Sequence, residues 1–449
     1  MSIARLAERL RARELSPREA VGLYLDRIEA TASLNAFLSV RAEEALAEAD
    51  VAPAGPLHGV PVAIKDVIDV AGAPTTAASE ILRHNVAVRD AESVARLRAA
   101  GAIVLGKLNT HEFAYGASTT SPHFGPARNP WSPDRICGGS SGGSGAAIAA
   151  ELAAGALGTD TAGSIRIPAC YCGATGLRPS IGLVPTAGVV PVSRTLDTVG
   201  PIAGSAEDCS LLLEALAPSY RPDPDRGLAG LRVGVVEQLF ERADPAVAAC
   251  VRSAVDELRS PGAAVEPVEV PLLEEAGTIL QAILLPEAAE VHLPWLRTRL
   301  ADYGPDVRAR LLSGLLLPST AYATGLRARR WFLDGLLPLF DRFGVLVHPA
   351  MPVAPPAIED DTVLWNGERV PYRLSVIPYN SPWALAGLPV VSAPCGFVDG
   401  MPMGLALVGR PGGEATVLCA AAAFQRSTDW HERRPELVAS AVGRAPRLA

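Results

Sequence analysis

The chain has 449 residues, of which 49 % are hydrophobic and 20 % charged, with a formal net charge of −8 at pH 7. Those totals exclude a disordered chain and argue against a nucleic-acid-binding surface. The 7 cysteines contain no CxxC pair, and Cys170-Tyr171-Cys172 has no partner cluster, so no zinc site is expected and a reducing cytosol fits best.

Charges interrupt the first ten residues throughout, so no signal-peptide segment is expected there, and no uncharged apolar run reaches membrane-spanning length. Residues 1–50 read as helices. Ser16-Pro17-Arg18-Glu19 has capping-box form with Pro at the first helical position. Val21, Tyr24, Leu25 and Ile28 follow with the spacing of one buried helix face. Residues 41–50 continue as an alanine-rich helix that Pro53, Gly55 and Pro56 stop.

His58 to Val67 reads as a turn feeding a short buried strand, with Lys65 at or just past its end. A helix over 90–101 and a strand over 102–106 follow, and this alternation suggests a mixed or parallel sheet with helices on its faces. Residues 110–136, with four prolines, read as a long loop of the functional or mobile kind.

Cys137 to Pro168 is the most unusual stretch. It opens with Gly138-Gly139-Ser140-Ser141-Gly142-Gly143-Ser144 and closes with Asp160-Thr161-Ala162-Gly163-Ser164-Ile165-Arg166-Ile167-Pro168. A buried small-residue helix between two such loops would bring serines and backbone N–H groups to one point.

Strand and turn signals fill 173–203, and a helix follows near 205–217. Pro218 to Pro224 is the most linker-like segment, and 218–229 is a candidate boundary. One continuous domain is favoured, because strand signals on both sides can share a sheet. A strand at 231–236, a helix at 244–259 and a strand at 265–270 come next. Helices dominate 272–342. Strands end the chain at 345–347, 389–392 and 403–409, before a last helix at 413–426. Tyr379 and Trp383 are read as lying in a C-terminal loop.

The Gly/Ser loop is not a phosphate loop, because no Lys follows its glycines. It matches G-x-S-x-G twice, centred on Ser140 and Ser141. A nucleophile elbow needs a strand directly before it, and Pro130 to Arg135 reads as a poor one. An esterase of that kind would draw its base from His348 or His431. Taken singly, Asp160 or Thr161 can cap a helix, Arg166 can be an ion-pair partner, and Lys65 can be a snorkelling surface residue.

Taken together, these segments resemble the amidase signature family of serine hydrolases. The resemblance runs through Gly59 to Asp66, Gly138 to Ser144, Gly158 to Ala169, Cys172 to Pro179, Asp197 to Pro201 and Gly387 to Gly396. It covers most of the chain. It implies an α/β fold: one large domain with a mixed, mostly parallel twisted β-sheet flanked by helices on both faces. Core motifs would occupy 58–203, a more variable helical region about 218–342, and C-terminal core strands 345–426.

The resemblance implies Ser164 as nucleophile, Ser140 as a bridging serine after a cis peptide bond, and Lys65 as the base. Lys65 can serve only as a neutral amine, which burial favours, and the Ser140 hydroxyl can both donate and accept. The backbone N–H groups of Thr161, Ala162, Gly163 and Ser164 would form the oxyanion hole, where one donor is worth about 3–4 kcal/mol. Two positions depart from the family pattern. Ala162 stands where Gly is common, and would be strained if φ there is positive. Cys137 stands where Pro is common.

The expected activity is hydrolysis of C–N bonds in small-molecule amides, with anilides, carbamates or urethanes, and urea derivatives as close variants. The glutaminase subunit of a tRNA-dependent amidotransferase is the alternative within the family, and a non-catalytic binding protein the alternative outside it. Tyr115, Tyr171 and Trp383 are candidate pocket walls, as are Phe124, Trp131 and Tyr379. No metal, cofactor, nucleic acid or membrane is expected. The expected location is cytoplasmic, and a homodimer is compatible with the sequence.

Overall fold

A computed structural model describes residues 1–223, 227–259 and 262–437. Eleven strands form one sheet: β1 (Phe37–Val40), β2 (Pro61–Lys65), β3 (Ile103–Leu108), β4 (Gly155–Asp160), β5 (Thr175–Arg178), β6 (Thr198–Ala203), β7 (Arg232–Val236), β8 (Ala264–Val268), β9 (Val345–Pro349), β10 (Val390–Val398) and β11 (Met401–Gly409). Their order across the sheet is β1-β3-β2-β4-β6-β5-β10-β11-β9-β7-β8. Strands from both sides of 218–229 share this sheet, as expected of a single α/β domain. Pro224, in the linker-like segment, lies outside the described residues.

The sheet is mixed. Parallel pairing holds β3-β2-β4 in one wing and β9-β7-β8 in the other. The centre and the β1 edge are antiparallel. The strand–helix–strand alternation therefore marks the parallel wings, and the β10–β11 hairpin and its neighbours supply the rest.

Side chains alternate faces along a strand, so positions an odd number apart look in opposite directions. A Cβ on Gly155 of β4 would meet Leu212, and one on Gly158 would meet Ser141. The helix Ala206–Leu216 thus lies on one face of β4, and the Gly/Ser loop and its helix lie on the other. Ala206–Leu216 packs with Glu414–Ser427, whereas Gly142–Ala149 packs with Arg166–Cys172. Both faces are covered, which is why β2, β3 and β4 read as uninterrupted buried runs. A further layer, Ala276–Thr298, Pro305–Leu316, Ser319–Leu336 and Tyr372–Ala386, packs together from the C-terminal half.

The expected capping box is present: Ser16 Oγ accepts from Glu19 N–H, and the Glu19 carboxylate accepts from Ser16 N–H. Val21, Tyr24 and Ile28 are buried as that helix predicts, while Leu25 is half-buried.

Four local expectations need correction. Residues 1–50 are not all helical: Phe37–Val40 is an edge strand paired with β3. Four residues between two strong helices carry too little periodicity to announce a strand. The small-residue run after the Gly/Ser loop is the helix Gly142–Ala149 followed by β4, not one helix. The long loop 110–136 holds two small ribbons, and Ser132–Ile136 is a strand despite Pro133. Pro133 is not among the residues paired across its ribbon, where Arg128 faces Ile136 and Asn129 faces Ser132, so its missing N–H costs no ladder hydrogen bond. Tyr379 and Trp383 lie in the helix Tyr372–Ala386, not a loop; Pro378 and Pro382 within it disguise the helical pattern.

Candidate active site

Lys65 is the last residue of β2, and Thr159 is near the end of the parallel neighbour β4. The carboxyl ends of adjacent parallel strands therefore bring both side chains to one place. Lys65 Nζ lies 2.7 Å from Ser140 Oγ and 2.8 Å from Thr159 Oγ1. Lys65 is fully buried, and burial pushes its pKa from 10.5 down to about 7, against the opposing pull of the Asp160 and Asp197 carboxylates.

The peptide bond Gly139–Ser140 is cis. Its loop is clamped from several directions. Thr119 Oγ1 donates to the carbonyls of Gly138 (2.9 Å) and Ser140 (3.1 Å), and accepts from Gly142 N–H (3.0 Å). The His111 N–H also donates to the Ser140 carbonyl, at 3.1 Å. No side chain fits at Gly139, where a Cβ would stand 2.7 Å from the backbone nitrogen of Ser118.

The second loop is built around Asp160. Its buried carboxylate accepts from Gly163 and Ile165 N–H, from Arg166 Nε (2.9 Å) and Nη2 (3.0 Å), and from Arg178 Nη1 (3.0 Å). Burial alone would raise the pKa of this group; Arg166 and Arg178 outweigh it and hold the carboxyl well below the usual range. Thr161 Oγ1 donates to Asp197 Oδ1 at 2.6 Å, which anchors the loop on its other side. The Ser141 N–H donates to the Ser164 carbonyl at 3.1 Å, tying the two loops together.

One expectation about this loop changes. The Gly163 N–H is engaged by Asp160 Oδ1 at 2.8 Å, so it is not free to receive a substrate oxygen. An aspartate three residues before a glycine turns inward to fold its own loop. The strain feared at Ala162 is absent, because the positive φ falls on Gly163 (φ 124°). A Cβ there would stand 2.7 Å from Asn380.

A cavity opens above the serines. Ser164, Gly139, Thr161 and Ala162 line it below, and Tyr115, Gln281, Leu284, Arg310, Arg373 and Ile377 line it elsewhere. Ser164 lines the cavity and retains 8 % exposure, whereas Ser140 and Lys65 are fully buried.

Of the candidate pocket walls, Tyr115 lines this cavity. Tyr171 and Trp383 do not. The Tyr171 hydroxyl donates to the Val353 carbonyl at 3.0 Å, and Trp383 Nε1 donates to the Tyr379 carbonyl at 3.1 Å, both in the core. Tyr379 is likewise buried, with its hydroxyl on the Leu239 carbonyl. Trp131 stacks edge-on against Phe397, and Phe124 lies under Arg83. Large aromatics near a motif fill the core more readily than they wall a small cavity.

Sequence reasoning missed Thr119, Thr159, Gln281, Arg310 and Arg373. The first two are short hydroxyls with no local signature. The last three come from helices far along the chain, and only folding brings them to the cavity.

Neither histidine of the esterase alternative pairs with Ser140 or Ser141. His348 Nδ1 lies 2.8 Å from the Pro349 carbonyl, its ring stacks on Trp383, and burial pushes its pKa down to about 3. Ser141 Oγ donates to the Thr159 carbonyl at 3.2 Å. The strand before the Gly/Ser loop belongs to a separate ribbon, not to the main sheet. Among the described residues no cluster of His, Cys, Asp and Glu is arranged to hold a metal ion, and no helix is long and apolar enough to cross a membrane.

The fold and these loops define a class, the amidase signature hydrolases, and comparison with known proteins agrees. The family model described as Amidase matches residues 19–418, so the chain belongs to the amidase family, whose enzymes act on C–N bonds. It is 38 % identical to a glutamyl-tRNA(Gln) amidotransferase subunit from Moorella thermoacetica, over 96 % of this chain and 97 % of the relative. It is also 38 % identical to an amidase of Pseudomonas putida, over 98 % of each. Among solved structures it superposes, with a TM-score of 0.90 and 38 % identity, on a chain from a vestigial protein complex described as revealing the evolutionary origins of an s-triazine catabolic enzyme. That match covers 95 % of this chain and 98 % of the other.

Proposed function

We propose that the chain is an amidohydrolase that cleaves the C–N bond of small-molecule amides, with Ser164 as nucleophile, Ser140 as proton bridge and Lys65 as base. The observation that carries this reading is the 2.7 Å approach of Lys65 Nζ to Ser140 Oγ, with the amine pushed down to about 7. A serine hydroxyl attacks only when a base takes its proton. Ser164 Oγ bonds to the amide carbon as its proton passes to Ser140 Oγ and the Ser140 proton passes to Lys65 Nζ. The developing oxyanion is met by N–H groups of Thr161, Ala162 and Ser164; Gly163 shapes the loop instead. The C–N bond then breaks, and the proton returns through Ser140 to the leaving nitrogen. Water, activated by the same relay, frees the acid from Ser164.

A panel of aliphatic amides, anilides, carbamates and glutamine, run on wild type and on Ser164→Ala, tests the reading. Hydrolysis that survives the substitution defeats it. A carbamate or urethane hydrolase would use the same steps and differ only in which panel member is turned over.

A second reading is supported by the 38 % identity to a glutamyl-tRNA(Gln) amidotransferase subunit. Under it, the chain releases ammonia from glutamine and works with partner chains. Turnover of simple amides by the purified chain alone favours the first reading. Silence alone, with partner chains recovered in a pull-down, favours the second.

A further inference from the structure

Two arginines line the cavity above Ser164, and their charges are met differently. Arg310 is compensated. Its Nη2 lies 2.8 Å from Asp306 Oδ2 and donates to the Tyr115 carbonyl, and its guanidinium sits 4.9 Å from the Tyr115 ring centroid. Asp306 also engages His111 Nε2 at 3.0 Å. Arg373 has no hydrogen bond and no ion pair among the described residues, although it lines the same cavity.

Three effects disfavour a cation at position 373. The residue is half-buried, and burial is the leading cause that lowers its pKa. Arg310 adds a like charge, offset in part by Tyr115 and Asp306. Arg373 also stands in the first turn of the helix Tyr372–Ala386, at the positive end of its dipole. An anion in the cavity would relieve all three.

We propose that Arg373 is a specificity-determining residue that receives a carboxylate of the substrate, so that the preferred substrates are small amides bearing a carboxylate and no ammonium. This rests on the hydrolase reading above. The carboxylate follows from the unpaired guanidinium, which binds such a group through paired N–H donors. The exclusion of an ammonium follows from the rest of the lining. Among the described residues lining the cavity there is no Asp or Glu. An ammonium would face two guanidiniums, and Asp306 behind them is already engaged by Arg310 and His111. Like charges facing each other without a counter-charge discriminate strongly against the wrong ligand.

Glutamine and glutaramate make the sharpest comparison, because glutaramate is glutamine with hydrogen in place of the ammonium. Butyramide, of the same chain length as far as its fourth carbon, has neither charge. The purified full chain is assayed on all three, as wild type, Arg373→Gln and Arg373→Lys. For wild type, kcat/KM for glutaramate exceeds that for butyramide and for glutamine by roughly tenfold or more. In Arg373→Gln the glutaramate-to-butyramide ratio falls towards one, mainly through KM, and Arg373→Lys restores part of it.

Equal turnover of glutaramate and butyramide by wild type, a preference for glutamine over glutaramate, or a ratio unmoved in Arg373→Gln overturns the inference and leaves the hydrolase reading standing. No turnover of any of the three, together with no labelling of Ser164 by a covalent serine probe, overturns both.

Discussion

The amine of Lys65 and the hydroxyl of Ser140 meet at 2.7 Å in a place from which water is excluded. The amine ends a strand and the hydroxyl follows a cis peptide bond, 75 residues apart in the chain. A buried lysine with a pKa near 7 is poised to exchange a proton at neutral pH, unlike the ordinary lysine at 10.5.

The pH profile of kcat/KM on a neutral amide should therefore rise through a midpoint near 7, as Lys65 loses its proton. Stability should carry the same signature. Between about 7 and 10.5 the folded chain binds fewer protons at Lys65 than the unfolded chain does, so the contribution of this group to unfolding free energy rises with pH across that window. A rate that is flat from about pH 6 to 8 would remove Lys65 from the mechanism.

Ser164→Ala should reduce kcat by about four orders of magnitude or more, the loss typical of an acyl-transfer nucleophile. Lys65→Ala should fall by a comparable factor and not additively with Ser164→Ala, because the two act as one unit. Intact-mass analysis should find a covalent serine probe on Ser164 in wild type and no adduct on Ser164→Ala. An adduct on Ser140 or Ser141 instead would reassign the nucleophile.

Gly163→Ala should be damaging and Ala162→Gly mild. At Gly163 the backbone is left-handed and the added Cβ would crowd Asn380 at 2.7 Å. Backbone strain of this kind costs about 1–3 kcal/mol. Urea denaturation read by circular dichroism, paired with kcat, distinguishes the two variants. Equal effects would mean that the turn is not held as described.

Asp160→Asn should destabilise the fold by about 3–5 kcal/mol, the usual result of leaving a buried ion pair half made. Here two guanidiniums, Arg166 and Arg178, lose their shared anion. The expected readout is a lowered denaturation midpoint together with loss of activity, since the same carboxylate shapes the Gly163 turn. A normal midpoint with lost activity would give Asp160 a direct chemical role instead.

Much of the architecture was legible before folding. Buried strands such as β2 and β3 announce themselves as apolar runs, and the Ser16–Glu19 cap is written in four adjacent residues, because both signals are local; β4, built of small residues, carries no such signal. The two small-residue loops that carry Ser140 and Ser164 were legible through their motifs, and so was the placement of Lys65 at the end of a buried strand. The helix Tyr372–Ala386 was not, since two prolines break the pattern that packing with Ala276–Thr298 overrides.

By itself the sequence determined the apolar strands such as β2 and β3, the capped helix that starts at Pro17 and the small-residue loops, all properties of neighbouring residues. Tertiary structure alone decided three things: that Gly163 spends its N–H on Asp160, that Tyr171 and Trp383 belong to the core, and that Arg310 and Arg373 reach the cavity. Each depends on groups brought together across long stretches of chain or on the exact path of a loop, and no local pattern encodes a distance of that kind.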